Sequence, residues 1–322
     1  MGKPETCNLQ LKTIQRMKKI LIATEKPFAP AAVSAIKAVT DEAGYELVML
    51  EKYTDKAQLI EAVADVDAMI IRSDKATKEV LDAAKNLKVI VRAGAGFDNI
   101  DLEAATENNV VAMNTPGQNS NAVAELALGF MVMAARNNYN GKAGTELSGK
   151  KVGIHAYGNV GKLVGKIAKG FGMEVLAFDP FVEKSVIEKD GVTVVDSVEE
   201  LYSQSNYVSL HIPANDKTKE SINYALLSKM PKGGTLINTA RKEVIHEEDM
   251  VKIMNERDDL KYYSDIAPNN ADFMKENFAD RIFFSPKKMG AQTAEANINA
   301  GIAAAKQIVG FLENGDKTFQ VN

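Results

Sequence analysis

Short apolar runs alternate along nearly the whole chain with longer stretches of helical period, and that alternation excludes most folds at once. The run Lys18–Ala23 is followed by a helical stretch at 31–43, stopped by Gly44 where a left-handed cap is wanted. The runs Leu47–Leu50, Ala68–Ile71, Val89–Val91 and Val110–Met113 read as further strands. After a polar connection at 138–149 the alternation restarts with Lys151–His155 and continues to Phe284. A strand–helix–strand succession of this kind gives parallel sheets covered by helices on both faces. The expected class is α/β, with two doubly wound parallel-sheet units joined near residue 116. The 322 residues are enough for two cores.

Three segments depart from the pattern. The first 16 residues lack the apolar stretch of a secretory signal and precede Met17, which opens the first strand. They are expected to be disordered and without chemical role, whether native sequence, a weak targeting extension or an artefact of expression. The stretch Asn121–Asn138 has almost no polar face; such a helix is buried, inside a domain or against another subunit. The last helix, from about Ala294 to Leu312, is alanine-rich and follows the final strand.

Composition narrows the function classes. The formal net charge of −4 argues against nucleic acid or an anionic membrane surface as partner. No uninterrupted apolar stretch approaches the ~20 residues that span a bilayer. The single cysteine, Cys7, excludes an intramolecular disulfide and points to a reducing, cytoplasmic setting. Three scattered histidines do not make a metal site, so none is expected.

The strand Lys151–His155 runs into Ala156-Tyr-Gly-Asn-Val-Gly161 and then a helix through about Phe171. A dinucleotide turn needs a tight bend, a glycine that admits the pyrophosphate to the backbone, and a glycine for helix–strand contact. Gly158 and Gly161 take the second and third places, and Ala156 stands in the first. The pyrophosphate would rest on the N–H groups of Asn159 and Val160 at the positive end of the helix. The next strand, Val175–Phe178, ends in Asp179, whose carboxylate suits ribose hydroxyls and repels a 2′-phosphate. NAD is therefore the expected cofactor.

Six ordered blocks carry a resemblance: Arg72-Ser-Asp; Val91-Arg-Ala-Gly-Ala-Gly-Phe-Asp-Asn-Ile-Asp101; Asn114-Thr-Pro-Gly-Gln-Asn119 with Val123-Ala-Glu125; Leu210-His-Ile-Pro213; Leu236-Ile-Asn-Thr-Ala-Arg241; and Gly290-Ala-Gln-Thr-Ala-Glu295. From about Lys18 onward the chain resembles the D-2-hydroxyacid dehydrogenase family, and within it the members that act on 3-phosphoglycerate. The resemblance implies two Rossmann-like domains: a discontinuous substrate domain (17–116 and 293–322) and an NAD domain (117–292). An active site in the cleft and a homodimer through the helix at 121–138 are also implied. It completes the cofactor set with Tyr157, Pro180, His211, Pro213, Thr218, Thr239, Ala240, Asp265 and Gly290, Asp265 contacting the nicotinamide amide.

For the substrate, Ala93, Gly94, Ala95 and Gly96 form a turn of small residues that exposes backbone N–H groups to a carboxylate. Asn119 matches a substrate-contacting asparagine. Arg241 matches the arginine that grips the carboxylate and polarises the reacting carbonyl. Arg72 and Arg92 each end a strand where the phosphoglycerate members hold the phosphate; the plainer reading of both is a surface salt bridge. The implied reaction is NAD-dependent oxidation of 3-phosphoglycerate, the opening step of serine synthesis.

Two positions depart from the family. In Ser285-Pro-Lys-Lys-Met-Gly-Ala291 the catalytic histidine's place is taken by Lys288, and near the place of its glutamate stand Asn269 and Asn270. His155 reads as core, His211 as part of the cofactor wall, and His246 as a helix start. Either catalysis is lost, leaving an NAD-sensing binding protein, or Lys288 is the acid–base. The second reading is favoured because the replacements agree: a carboxylate beside a lysine would hold it charged, and a neutral asparagine does not. Within the enzyme class the rival is a reductase of glyoxylate, hydroxypyruvate or another D-2-hydroxy acid. The chain also stops soon after its last helix, so feedback through an appended regulatory domain is not expected.

Overall fold

The computed structural model describes residues 16–322, which divide into two compact units, one formed by 16–115 with Ala300–Asn322 and the other by Pro116–Asn299. The expectation for the first 16 residues therefore lies outside the described residues apart from Arg16, whose guanidinium is held by Asp65 and Asp67.

The first unit contains β1 (Lys19–Thr24), β2 (Glu46–Glu51), β3 (Ala68–Ile71), β4 (Val89–Arg92) and β5 (Val111–Asn114). All pair in parallel in the order β2-β1-β3-β4-β5. Ile20–Ala23, Ala68–Ile71 and Val89–Val91 are wholly buried, which explains why they read as unbroken apolar runs: helices cover both faces of a parallel sheet. The helix Pro30–Glu42 starts on proline, whose missing N–H costs nothing there, and stops at Gly44 with φ +71°. From Ala300 the final helix, Ala294–Asn314, returns to this unit. Gly301 lies so close to the first helix that a Cβ would sit 2.9 Å from Ile36. The chain then runs back along β5, where Val321 N–H donates to Ala112 O at 2.9 Å. The unit is thus discontinuous in sequence, re-entered at 300 where the sequence suggested 293.

The second unit contains β6 (Lys151–His155), β7 (Glu174–Phe178), β8 (Thr193–Val194), β9 (Tyr207–Leu210), β10 (Thr235–Asn238), β11 (Lys261–Ser264) and β12 (Ile282–Phe284). Their order is β12-β11-β10-β9-β6-β7-β8, again all parallel. Strand order reverses between β1 and β3 in one sheet and between β6 and β9 in the other. In open parallel sheets the carboxyl ends of strands at such a reversal splay apart and leave room for a ligand.

The apolar helix is shorter than its sequence suggested. It spans Ser120–Ala135 and is followed by a tight 3-10 turn at Asn137–Tyr139, because three successive residues there adopt φ of +50° to +54°. Ala124, Ala127, Leu128, Phe130 and Met131 are buried in the core of the second unit, while Val123, Leu126, Val132 and Met133 stay half-buried. Among the described residues no helix is long and apolar enough to cross a membrane, and no group of His, Cys, Asp and Glu is placed to hold a metal.

Candidate active site

The glycine turn lies at the strand-order reversal of the second unit. Its first position is Ala156, held at φ +82°, a conformation that glycine adopts freely and alanine does not. Two bonds hold it there: Ala156 N–H to Phe178 O at 2.9 Å and Tyr157 N–H to Asp179 Oδ2 at 2.7 Å. Gly158 caps the helix Asn159–Gly170 without a side-chain cap, which leaves the N–H groups of its first turn for a ligand. A Cβ on Gly158 would meet nothing within 4 Å, whereas one on Gly161 would lie 2.3 Å from Ala156 O and 2.9 Å from Ile154. The first glycine faces open space and the second permits helix–strand contact, the division of labour a pyrophosphate turn needs. Tyr157 has no donor left for a ligand, since its N–H goes to Asp179, its side chain is buried and its hydroxyl donates to Asp190.

Asp179 also accepts from Phe181 N–H at 2.8 Å. Its two oxygens brace the turn from below and keep lone pairs for a ribose. Pro180 is exposed, and Phe181 beside it is 89% exposed. Sequence reasoning passed over Phe181; the signal was a large apolar side chain two residues after Asp179, where a flat ring could find a surface.

The carboxyl ends of β9 and β10 add buried polar atoms without partners among the described residues, His211 Nε2 and Thr239 Oγ1. Orphaned polar atoms are costly unless a ligand satisfies them, so these residues fit a polar cofactor. Beyond β9, Thr218 Oγ1 closes the loop over Pro213 by donating to its carbonyl at 2.5 Å. Past β10, the buried Asn238 side chain accepts from Ala240 N–H and donates to Arg241 O, both at 3.0 Å. That brace sets the bend carrying Arg241, whose Nη1 donates to Ala240 O at 2.9 Å.

Past β11, Asp265 is 1% exposed and accepts from Met289 N–H at 2.7 Å and Gly290 N–H at 2.8 Å. Both oxygens thus already hold backbone, a duty the sequence did not foretell. Lys288 precedes those two residues and is exposed. Asn269 turns to Lys242, whose ammonium donates to it at 2.5 Å, and its N–H donates to Glu247 at 2.8 Å; Asn270 caps the following helix without a side-chain bond. Asn119 likewise opens the helix Ser120–Ala135 without spending its side chain on a cap. The loop before it lies beside the glycine turn, Asn159 Nδ2 standing 3.3 Å from where a Cβ on Gly117 would be.

The histidines are poor acid–base groups. Burial pushes His155 down to about 4. Burial, then repulsion by His155, pushes His211 down to about 3. His246 spends Nδ1 on its helix, accepting from Asp249 N–H at 3.2 Å. The buried pair carries a pH signature. Below about pH 6.5 the unfolded chain protonates both histidines while the folded chain does not, so stability is full above that pH. It then falls by about 1.4 kcal/mol per histidine per pH unit until the folded values are reached. Denaturant unfolding should show proton uptake by these residues rising from about one at pH 6.5 to nearly two at pH 5. His211→Gln should remove about half of the slope, and an unchanged slope would refute the assignment.

In the first unit, Arg72 follows β3 and Arg92 ends β4. The Arg72 guanidinium lies 5.0 Å from the centroid of Phe28, and burial lowers its pKa against the opposing charge of Asp74. Arg92 Nε donates to Arg72 O at 3.0 Å. Its guanidinium crosses Gly94, where a Cβ would fall 1.6 Å from Nη1; Gly94, at φ +151°, is what lets the arginine lie on the loop. Ala93 is buried, Ala95 exposed and Gly96 half-buried. Asp74, 3% exposed, ties three strand ends together, accepting from Glu25 N–H at 2.7 Å, Tyr53 Oη at 2.9 Å and Arg72 N–H at 3.3 Å.

Residues 122–282 match the model of the D-isomer specific 2-hydroxyacid dehydrogenase NAD binding domain. The chain belongs to this family. Among the dehydrogenases it resembles is the D-3-phosphoglycerate dehydrogenase of Methanocaldococcus jannaschii, 35% identical over 79% of this chain and 51% of that protein. Another is the hydroxypyruvate reductase of Thermotoga maritima, 34% identical over 84% of this chain and 92% of that protein. The chain thus spans about half the length of the phosphoglycerate dehydrogenase and nearly all of the reductase. The crystal structure of NAD+-bound 3-phosphoglycerate dehydrogenase from Entamoeba histolytica is 46% identical, with a TM-score of 0.84 over 95% of this chain and 99% of that one. The second unit therefore carries the family's NAD-binding domain, and each of the two parallel α/β folds has its counterpart in the relatives' chains.

Proposed function

We propose that the protein oxidises 3-phosphoglycerate to 3-phosphohydroxypyruvate. The observation that carries this reading is Arg72 and Arg92 on adjacent strand ends, the Arg92 guanidinium bonded to the Arg72 carbonyl and lying across the small-residue loop at 93–96. Guanidinium forks match phosphate and carboxylate oxygens in pairs, and the loop adds backbone N–H groups. NAD, held by the turn at 156–161 with Asp179, His211, Pro213, Thr218 and Thr239, supplies the hydride acceptor. Arg241 binds the substrate carboxylate and stabilises the developing carbonyl, and Asn119 orients the acid. The C2 hydroxyl gives its proton to the neutral amine of Lys288, the C2 hydrogen leaves with the bonding electron pair for the acceptor that NAD would supply, and C2=O forms. In reverse the Lys288 ammonium protonates the alkoxide. Lys288 is exposed in the protein alone, so desolvation by bound reactants is what would discourage its charge. Leu126 and Met133, half-buried and seven residues apart on one face of the helix Ser120–Ala135, support a homodimer.

A second reading is reduction of hydroxypyruvate or glyoxylate, favoured by the near-complete span of the Thermotoga maritima reductase. NADH formation with 3-phosphoglycerate and plain D-2-hydroxy acids, followed at 340 nm, separates the two. Oxidation of the phosphorylated acid with at least about tenfold higher kcat/KM is expected. Preference for the plain acids would overturn the phosphoglycerate reading, and NAD binding without turnover would return the protein to the sensors.

A further inference from the structure

Asp265 has a duty that hydride transfer does not require of it. It sits at the end of β11, 1% exposed, with its own N–H donating to Asn238 O at 2.9 Å. Its two carboxylate oxygens each accept from one of two successive backbone amides, Met289 and Gly290, at 2.7 and 2.8 Å. A buried carboxylate is costly unless its lone pairs are met, and charge-assisted bonds of this length are strong. The fit is close: a Cβ on Gly290 would lie 3.0 Å from Asp265 Oδ2 and 3.3 Å from Val123, so a larger residue would press on the carboxylate.

The amides so held come directly after Lys288. Between the end of β12 at Phe284 and the helix starting at Ala294 the chain has no regular structure to set a side chain's direction. Its front is pinned by Ser285 N–H to Ser264 O at 3.0 Å, and within the segment Gln292 N–H donates to Met289 O at 2.8 Å. The Asp265 carboxylate is the anchor next to the lysine. Resting on the reading of Lys288 above, we propose that Asp265 is its positioning residue, a latch that fixes the backbone from which the amine reaches the substrate. The sheet registers Asp265 through Asn238, the same residue that braces the bend of Arg241. One buried asparagine therefore sets both the carboxylate clamp and, through Asp265, the base.

Asp265→Asn keeps the shape but replaces one acceptor oxygen with an NH2 group that faces an N–H, so one of the two bonds is lost. In the full chain, amide exchange at Met289 and Gly290 should quicken by about tenfold or more. The kcat should fall by about a hundredfold, the cost of a misplacement on the order of 1 Å, with KM for NAD within about twofold. In a Lys288→Ala background the same substitution should change kcat little, because the group it positions is gone. Equal losses in both backgrounds, or a raised KM for NAD with kcat kept, would overturn the latch and make Asp265 a cofactor contact. Should Asp265→Asn fail to fold, Asp265→Glu displaces the same oxygens by one methylene and is read by the same exchange and kinetics. If Lys288→Ala itself keeps full turnover, the assignment of the base fails, while amide exchange at Met289 and Gly290 still decides whether the latch exists.

Discussion

Lys288→Ala should lower kcat for hydroxy-acid oxidation by about a thousandfold, within the range general acid–base groups contribute. Affinity for NAD should stay within about twofold, since the turn at 156–161 and Asp179 lie on β6 and β7, away from the segment that carries the lysine. The case for a large effect is partly one of elimination. His155 and His211 are pushed to about 4 and 3 and stay neutral at working pH; a neutral imidazole can accept a proton, but at these values it is a weak base. His246 is spent on its helix. A lysine base also has a direction in pH: oxidation needs the neutral amine and should speed up toward alkaline pH, whereas reduction needs the ammonium and should slow. Lys288→Ala should flatten both profiles. A variant that keeps parental turnover would dismiss the lysine as the base.

The second large effect is on specificity. Arg72→Gln keeps part of the apolar stem and removes the guanidinium, with its charge and its place over Phe28. It should raise KM for 3-phosphoglycerate by about a hundredfold, the scale of losing one partner of a buried charge pair, ~2–5 kcal/mol. KM for an unphosphorylated 2-hydroxy acid should move by less than about threefold. Gly94→Ala should act in the same direction by another route, because its Cβ would displace the Arg92 guanidinium from the loop. Salt should weaken binding of the phosphorylated acid in the parent more than in the variant, as expected of an ionic contact. Equal losses on both kinds of substrate would mean that Arg72 supports the fold and not the phosphate.

Much of the fold was legible because it is written in local signals. Parallel strands covered on both faces appear as unbroken apolar runs at 20–23, 68–71 and 89–91, and helices as a 3.6-residue period. Gly44 marks a helix end because only a residue at ease with positive φ serves there. The cofactor turn was legible for the same reason, the spacing of Gly158 and Gly161 reflecting backbone sterics within a few residues. The long apolar helix was overextended, since nothing in its composition announces three left-handed residues after Arg136. Phe181 was overlooked because exposure, not identity, is what sets it apart.

What the sequence determined by itself, then, is the alternation that demands two doubly wound sheets, the glycine spacing that suits a dinucleotide turn, and a lysine at position 288. These follow from periodicity, chirality and side-chain chemistry, which act within a few residues. The tertiary structure alone decided the rest. It brought Asp265 to the amides of Met289 and Gly290, 24 and 25 residues further along. It laid Arg92 against the carbonyl of Arg72, 20 residues earlier, and it buried two histidines deeply enough to hold them neutral. Hydrogen-bond partners and desolvation depend on which distant segments the sheets bring together, and no local pattern encodes them.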